Sequence, residues 1–452
     1  MNRQKSKRNI FSMFVLLVGL FLFVFFPKKA AGIFPPKERL IVVFRQEVAL
    51  SDQAEILARS GVESLKNLRL INARVSRLSD QQIDLLKKDR RILRIDPDVR
   101  VYALARNDRC ARYPWLPWCS PTATPTPAIT LTPTPTRPPA SPTSTPSPSP
   151  VVTPTATPLP TSTPFPATPT PTPVSGSQPL PWGVERIKSQ PAWELSTGSG
   201  VKVGIIDTGI DRDHPDLDGN LAGCVNFIYS WRNCEDDNGH GTHVAGIIAA
   251  EDNSSGVVGV APQAKIYALK VLNRQGQGYL SDVIEALDWA VANHLQVVNL
   301  SLGTTSDVTS FREAVERVSQ AGIVQVAAAG NSGPGTNTVN YPARYPQVIA
   351  VAATDINNAV PSWSSRGSEI ALAAPGVAIN STYLKAGYKT LSGTSMSAPH
   401  TAGVVALRLS LFPGQTPAEI RQVLTGSADW LVPDPLLVGA GLVNALGAVS
   451  AD

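Results

Sequence analysis

The stretch Ser392-Gly393-Thr394-Ser395-Met396-Ser397-Ala398-Pro399-His400 precedes a run of small and apolar residues at 401–411. That run predicts a buried helix beginning near Ser395, since a helix tolerates a proline in its first turn. A serine there lies next to unpaired backbone N–H groups and the positive end of the helix dipole. It is therefore either a helix cap or a nucleophile, and a nucleophile needs a base from elsewhere in the chain.

The region before this helix alternates short apolar strands with helical stretches, and the chain of 452 residues is long enough for two or three domains. The strands are predicted at residues 201–206, 265–271, 296–300, 322–328 and 347–352. This order predicts an α/β fold with a doubly wound, mostly parallel sheet. Such sheets bind ligands beyond the carboxyl ends of their strands.

Polar residues fall at those positions. Asp207 ends the first strand, His240 lies between two glycines at the start of a second small-residue helix, and Asn331 follows another strand. Each has an ordinary structural explanation, as a turn residue, a core histidine or a left-handed turn residue. Together with Ser395 they give the order Asp, His, Ser, which is the order of subtilisin and neither that of chymotrypsin nor that of the α/β-hydrolases.

Three segments resemble the signature motifs of the subtilases, a family of serine peptidases. They are Asp207-Thr208-Gly209, His240-Gly241-Thr242-His243 and Gly393-Thr394-Ser395-Met396-Ser397-Ala398-Pro399. The resemblance covers about residues 178–450. It implies a serine endopeptidase in which Ser395 attacks, His240 transfers protons and Asp207 orients His240. Asn331 and the Ser395 N–H would hold the oxyanion, and His243 is expected to be structural.

The resemblance also implies a substrate cleft. Ser301, Leu302 and Gly303 on one side, and Ala328, Ala329 and Gly330 on the other, would flank the P1 side chain. Leu272, Leu280 and Val283 would line an apolar P4 pocket, and Asn340 would lie at the floor of the P1 pocket. A broad preference for apolar P1 and P4 residues is expected.

A structural calcium ion is the cofactor that the resemblance implies, and no organic cofactor is expected. The ligands would be the side chains of Gln178, Asp216 and Asn253 and the carbonyls of Glu251, Ser255 and Val257. These are hard oxygen donors of the type that calcium prefers. The alternative is that the acidic residues are ordinary solvated loop residues.

The first 32 residues read as an export segment. Basic residues precede the apolar run at 10–26, and Ala30-Ala31-Gly32 offers a cleavage site. The run suits either a cleaved signal peptide or a signal-anchor that tethers the protein to a membrane. In both cases the catalytic domain is expected to be extracellular, either secreted or membrane-anchored.

Residues 33–105 form a small unit with the predicted order β-α-β-β-α-β. The strands are expected at 39–44, within 65–78 and at 92–101, and the helices at 51–60 and 79–88. This unit resembles the propeptide that acts as inhibitor and folding chaperone of subtilisin-like proteases. By that resemblance Leu104 would be the P1 residue, and Val101 the P4 residue, of a self-cleavage site.

Residues 106–177 are expected to be a linker without a core. Of the 40 prolines in the chain, 19 lie between Ser120 and Ser177 among threonines and serines, a composition typical of extended disordered chain. Four cysteines allow three pairings, and proximity favours Cys110 with Cys119 and Cys224 with Cys234. Export makes disulfides the expected state.

Charge argues against nucleic acid as a partner. Residues 178–452 contain 16 Lys and Arg and 24 Asp and Glu, so the excess of positive charge lies in the first 177 residues. The expected partners of this monomer are protein or peptide substrates and its own propeptide. Two alternatives stay open: a stalked surface protein that only binds peptides, and a transpeptidase or cyclase that uses the same acyl-enzyme.

Overall fold

The computed structural model describes residues 37–105, 178–431 and 434–451. The predicted export segment, Cys110, Cys119 and the Thr/Pro-rich linker lie outside the described residues. Among the helices that are described, none combines the length and the apolar character needed to cross a bilayer.

An N-terminal unit is built on an antiparallel sheet of four strands in the order β2-β3-β1-β4. Its elements are β1 Glu38–Phe44, α1 Leu50–Arg59, β2 Ser64–Leu68, a 3-10 turn Arg69–Ile71, β3 Ala73–Leu78, α2 Asp80–Leu86 and β4 Ile92–Pro97. Because side chains alternate along a strand, β1 packs on two sides. Leu40, Val42 and Phe44 join the core of this unit, whereas Ile41 and Val43 join a core shared with the main domain.

The strand predicted at 92–101 is two strands. β4 ends at Pro97, whose missing N–H limits further pairing in the ladder. The chain then enters β5 Arg100–Ala103, which pairs antiparallel with β9 Gln277–Tyr279 and β11 Leu302–Gly303 of the main domain. The last segment of the N-terminal unit is therefore the middle strand of a three-stranded sheet.

The main domain contains a seven-stranded parallel sheet in the order β14-β13-β12-β10-β6-β8-β7. Its strands are β6 Lys202–Asp207, β7 Leu221–Asn226, β8 Lys265–Lys270, β10 Val297–Leu300, β12 Val324–Ala328, β13 Val348–Thr354 and β14 Ile370–Pro375. An antiparallel hairpin, β15 Ile379–Tyr383 and β16 Gly387–Leu391, follows. The predicted doubly wound α/β fold is confirmed, although β7, β14 and the hairpin were not predicted.

Helices cover both faces of the sheet. The helices are α3 Trp182–Arg186, α4 Ser189–Ala192, α5 His240–Ala249, α6 Leu280–Ala292, α7 Thr309–Gln320, α8 Thr394–Leu411, α9 Pro417–Gly426, α10 Pro435–Val438 and α11 Ala445–Ser450. Val203 and Ile205 of β6 pack with residues of α5 and α8. Ile206 packs with residues of α6 and α7 on the other face.

The strand order brings the predicted functional residues together. β12, β10 and β6 are neighbours, so Asn331, Ser301 and Asp207 follow or end three adjacent strands at the same edge of the sheet. Helices α5 and α8 begin at that edge with His240 and with Thr394-Ser395.

Candidate active site

Asp207 and His240 form a buried hydrogen-bonded pair. The His240 Nδ1 atom lies 2.7 Å from the Asp207 Oδ1 atom, and the Asp207 side chain is fully buried. The same carboxylate oxygen accepts a hydrogen bond from the Thr208 N–H at 2.7 Å. Because a carboxylate accepts from Nδ1–H, the neutral ring carries its lone pair on Nε2. His240 Nε2 has no hydrogen-bond partner within the described parts of the chain.

The pKa of His240 is raised above its ordinary value. Burial alone would lower this pKa, but the charge and the hydrogen bond of Asp207, together with the charge of Asp236, outweigh burial. The pair is therefore suited to take up a proton at Nε2 and to stabilise the resulting imidazolium.

Asp236 is a site residue that the sequence reasoning missed. Its Oδ1 atom accepts from the backbone N–H groups of Asn238 and Gly239, both at 2.9 Å. Its Oδ2 atom accepts from the Thr242 N–H at 3.0 Å and the Thr242 hydroxyl at 2.7 Å. Asp236 thus holds the turn that presents His240. An acidic residue four positions before His240, in the turn ahead of a small-residue helix, was the available signal.

Ser395 is the second residue of α8 and lies near the end of β10. Its hydroxyl donates to the Ser301 carbonyl at 2.9 Å, and the Ser301 hydroxyl donates to the Ser395 carbonyl at 2.9 Å. In this structure the Ser395 hydroxyl is thus turned to Ser301 and makes no hydrogen bond to His240. Catalytic hydrogen bonds often form only in the reacting complex, so this geometry does not separate the two residues functionally.

The chain's own segment 100–104 occupies the cleft beside these residues. The Leu104 N–H donates to the Ser301 carbonyl at 3.1 Å, and Ala103 N–H donates to the Gly276 carbonyl at 2.9 Å. The Leu104 carbonyl accepts a hydrogen bond from Asn331 Nδ2 at 2.5 Å. The segment is therefore bound as an extended strand whose last carbonyl faces a side-chain amide.

Thr394 fixes the orientation of the Asn331 amide. Both the backbone N–H and the hydroxyl of Thr394 donate to Asn331 Oδ1 at 3.1 Å. With its oxygen bound in this way, Asn331 can present only its NH2 group to Leu104. That is the donor which an oxyanion requires.

Two side chains of the bound segment lie beside residues that the sequence analysis named for the cleft. Val101 is fully buried in one apolar cluster with Leu272, Leu280 and Val283. Leu104 lies against Gly303, where a Cβ atom would be 3.1 Å from Leu104 Cδ1 and 3.2 Å from Asn340 Cβ.

The other predicted cleft residues lie nearby. Leu302 pairs with Ala103 in the small sheet, and the Asn340 N–H donates to the Ala329 carbonyl at 2.8 Å. Ala328, Ala329 and Gly330 are buried.

His243, one turn after His240, is structural, as predicted. Its Nε2 atom lies 3.1 Å from the Ile379 carbonyl and 2.9 Å from the Lys389 carbonyl. Burial, aided by the charge of His240, lowers the pKa of His243 to about 3. The His243 ring is therefore neutral, and it joins α5 to both strands of the β15–β16 hairpin.

The predicted calcium ligands meet in one loop region. Gln178 Nε2 donates to the carbonyls of Glu251 and Val257 at 2.9 and 2.7 Å, and the buried Asp216 Oδ2 accepts from the Val257 N–H at 2.9 Å. Asn253 Nδ2 lies 3.5 Å from Asp216 Oδ1, and Asn253 Oδ1 accepts from the Ser255 N–H at 3.0 Å. The carbonyls of Glu251 and Val257 and the buried Asp216 carboxylate therefore each accept a hydrogen bond from an N–H group.

This donor set fits a calcium ion, but the amides of Gln178 and Asn253 turn N–H groups toward the oxygens. The Gln178 oxygen instead accepts from the N–H groups of Asn253 and Ser254. Across residues 37–105, 178–431 and 434–451 no group of three or more His, Cys, Asp or Glu suits a metal. A site made mainly of carbonyl and amide oxygens would not form such a group.

Cys224 and Cys234 form a disulfide, which is the pairing that proximity favoured. Cys234 is buried against the turn after Asp207, where its carbonyl accepts from the Ile210 N–H at 3.2 Å. The loop that the disulfide closes leads directly into Asp236 and His240, so the bridge restrains the chain just before His240.

Comparison with known proteins agrees with this geometry. A family model described as the Subtilase family matches residues 198–448. The thermostable alkaline protease of Halalkalibacterium halodurans is 49% identical over 270 residues, which is 60% of this chain and 73% of that protein. Subtilisin DY of Bacillus licheniformis is 45% identical over 271 residues, which is 59% of this chain and 98% of that protein.

Subtilisin E of Bacillus subtilis is 46% identical over 277 residues, covering 60% of this chain and 72% of that protein. The matched region contains Asp207, His240, Asn331 and Ser395, which the fold brings to one edge of its parallel sheet. The chain therefore belongs to the subtilase family and is a subtilisin-like serine endopeptidase, a hydrolase.

Proposed function

We propose that this endopeptidase is made as a self-processing zymogen that cuts its own chain after Leu104. The observation that carries the proposal is the hydrogen bond from Asn331 Nδ2 to the Leu104 carbonyl, within a strand bound between β9 and β11. The segment lies as a substrate would, with Leu104 as P1 and Val101 as P4.

The proposed chemistry uses four side chains and one backbone N–H. The Ser395 hydroxyl rotates from Ser301 toward His240, and its oxygen attacks the Leu104 carbonyl carbon while its proton passes to His240 Nε2. The oxyanion is held by Asn331 and the Ser395 N–H, and Asp207 stabilises the imidazolium. His240 then protonates the leaving nitrogen of Ala105 as the C–N bond breaks. Water hydrolyses the acyl-enzyme by the reverse proton transfers.

After the cut, residues 38–104 would stay bound as an inhibitor. Their contact does not depend on the scissile bond, because it includes buried side chains of β1 and β3 and ion pairs with the main domain. Arg94 Nη2 lies 2.6 Å from Glu313, and Lys66 Nζ lies 3.0 Å from Asp282. Activity would then require removal of this inhibitor, and residues 106–177 would stay on the mature enzyme.

Substrate preference is proposed to be broad and apolar at P1 and P4. The support is the apolar cluster around Val101 and the contact of Leu104 with Gly303. We also propose export through the apolar run at 10–26, for which the disulfide is consistent support.

Calcium is proposed to bind where Gln178, Asp216, Asn253 and the carbonyls of Glu251 and Val257 meet. A bound ion would stabilise the loops without taking part in the reaction. We expect a chelator to lower the melting temperature of the mature enzyme by several degrees. Asp216→Asn should remove most of that calcium dependence, and an unchanged response in this variant would contradict the site.

The processing proposal is tested by expressing the full chain as wild type and as Ser395→Ala. Mass spectrometry and N-terminal sequencing should show a wild-type chain that begins at Ala105 and a variant that accumulates uncut. Cleavage of the Ser395→Ala chain at Leu104, or a wild-type chain starting only near residue 178, would refute self-cleavage at this site.

A second assay distinguishes the other activities. A fluorophosphonate should label Ser395, and the labelled fraction should match the active sites that hydrolyse casein. No labelling of Ser395 would favour the alternative in which the protein only binds peptides. If ligation to an added amine is faster than hydrolysis, the result would favour a transpeptidase.

A further inference from the structure

Tyr279, which precedes α6, contacts two arginines of the N-terminal unit. The Arg100 Cζ atom lies 3.8 Å from the centroid of the Tyr279 ring, and the Arg39 Cζ atom lies 4.1 Å from it. Both distances fall well within the range of a cation–π interaction. Tyr279 is partly buried and belongs to the main domain, so it remains when the N-terminal unit leaves.

The pairing of β5 with β9 explains why substrates bound in the same register would make the same contact. In the pairing of β5 with β9, Val101 lies opposite Gly278 and Arg100 lies opposite Tyr279. Because opposed residues share a face of the sheet, the side chain preceding P4 meets the Tyr279 ring. Any substrate bound in the same register would place its P5 side chain there.

The surroundings of Tyr279 become acidic once the inhibitor leaves. Asp282 pairs with Arg39 at 3.3 Å and with Lys66 at 3.0 Å, and Glu285 pairs with Lys66 at 2.6 Å. In the described parts of the chain, all ion pairs of these two acids are with residues of the N-terminal unit. Because Arg39 contacts both the Tyr279 ring and Asp282, departure of the N-terminal unit leaves this aromatic face near a carboxylate that has lost its cations.

We propose that Tyr279, assisted by Asp282, forms an S5 subsite that prefers arginine or lysine at P5 of protein substrates. The inference rests on the proposed cleavage after Leu104, because that cleavage defines Arg100 as P5. It adds a preference for positive charge at P5, remote from the scissile bond, to the apolar preference at P1 and P4.

The size of the effect follows from the exposure of the site. Arg100 is exposed, so the cation–π contact is of the weaker, solvated kind. We expect P5 arginine to raise kcat/KM about fivefold over P5 glutamine, mostly through a lower KM. Lysine should give a smaller gain than arginine, and glutamate should be disfavoured by Asp282.

The test uses mature enzyme and fluorogenic peptides with the sequence X-Val-Tyr-Ala-Leu before the cleaved bond, where X is Arg, Lys, Gln or Glu. The ratio of kcat/KM for Arg over Gln is compared in wild type, Tyr279→Ala and Asp282→Asn. A ratio cancels any general loss of activity in a variant. Trp231→Ala removes an aromatic residue that is 77% exposed in the disulfide loop and should leave the ratio unchanged.

The expected result is a ratio near five in wild type that falls toward one in Tyr279→Ala and decreases in Asp282→Asn. The wild-type series stands alone if Tyr279→Ala does not fold. Cleavage after leucine with a ratio near one, or a ratio that Tyr279→Ala does not change, would overturn the S5 subsite. Absence of cleavage after leucine in every peptide would instead refute the proposed function.

Discussion

Two of the regions through which the N-terminal unit touches the main domain work by different means. The cleft contact, residues 100–104, is held largely by backbone hydrogen bonds to Gly276 and Ser301 and by Asn331. The helix contact consists of Asp96 and Asp98, whose side chains bind the first turns of α7 and α6. The first can be reproduced by any extended peptide, whereas the second depends on two particular carboxylates.

The helix contact supplies caps that the main domain lacks. The residues at the N-caps of α6 and α7 are Tyr279 and Val308, and neither makes a side-chain cap. Asp98 instead accepts from the Ser281 N–H at 2.8 Å, and Asp96 accepts from the Ser310 N–H at 3.0 Å. Since an anion is favoured at a helix N-terminus, the N-terminal unit should stabilise these helices when it binds. We therefore expect substitutions at the active site to impair catalysis and substitutions in the helix contact to weaken inhibition.

Asp207→Asn should have the largest effect on the cleft and little on the helix contact. Without the carboxylate, His240 loses the partner that fixes its tautomer and stabilises its cation. Replacing the equivalent aspartate in a serine protease triad lowers kcat about 10⁴-fold. We expect a comparable slowing of processing, measured as the half-life of the full-length chain. Processing slowed less than tenfold would contradict the role of Asp207.

Asn331→Ala should have the next largest effect. It removes the donor to the Leu104 carbonyl, and loss of an oxyanion amide in subtilisin costs about 10²- to 10³-fold in kcat. The same factor should appear in self-processing and in peptide hydrolysis by mature enzyme. Asn357→Ala, which changes an exposed asparagine, is the matched control. A loss confined to KM would mean that Asn331 binds the ground state and the transition state equally well.

The double variant Asp96→Ala and Asp98→Ala should break inhibition and spare chemistry. Each lost cap is worth about 1 to 1.5 kcal/mol, so inhibitor affinity should fall about 30- to 150-fold. The readout is the lag before peptide hydrolysis begins after processing, which should shorten.

Asp84→Ala, an exposed change in the same unit, should keep the normal lag. If the double variant keeps the lag as well, Asp96 and Asp98 do not hold the inhibitor, and the cleft contact together with the buried side chains and ion pairs described above accounts for inhibition.

The sequence predicted the cleft better than the helix contact. Asp207, His240, Asn331 and Ser395 stand where apolar strands end or small-residue helices begin, and one parallel sheet brings such positions together. Asp96 and Asp98 could not be assigned, because their partners are more than 180 residues away and nothing local pairs them. The uncapped starts of α6 and α7 were a signal that each helix needed an outside partner.

Amide orientation was also beyond the sequence. The family resemblance implied that Gln178 and Asn253 are calcium ligands, but which amide atom faces the carbonyls depends on neighbouring N–H groups. Similarly, the break after Pro97, which sends β5 into the cleft, was missed because a single strand was predicted at 92–101. These features depend on tertiary contacts that local pattern does not contain.

The smallest predicted effect is on the pH dependence of kcat/KM, which should respond to changes around His240 and not to changes in the helix contact. His240 must be neutral to accept the Ser395 proton, so activity is lost as pH falls through its pKa. Asp207 and Asp236 raise that pKa and outweigh the opposing effect of burial. The acid limb of kcat/KM should therefore lie above the ordinary value of about 6.5.

Asp236→Asn should move this limb to lower pH, because it removes one of the charges that stabilise the imidazolium. The Asp96→Ala and Asp98→Ala variant should leave the limb of the mature enzyme in place, since these residues depart with the inhibitor. A limb that shifted in that double variant would mean that the helix contact leaves a lasting change in the cleft, so that folding and catalysis could not be separated as the two contacts suggest.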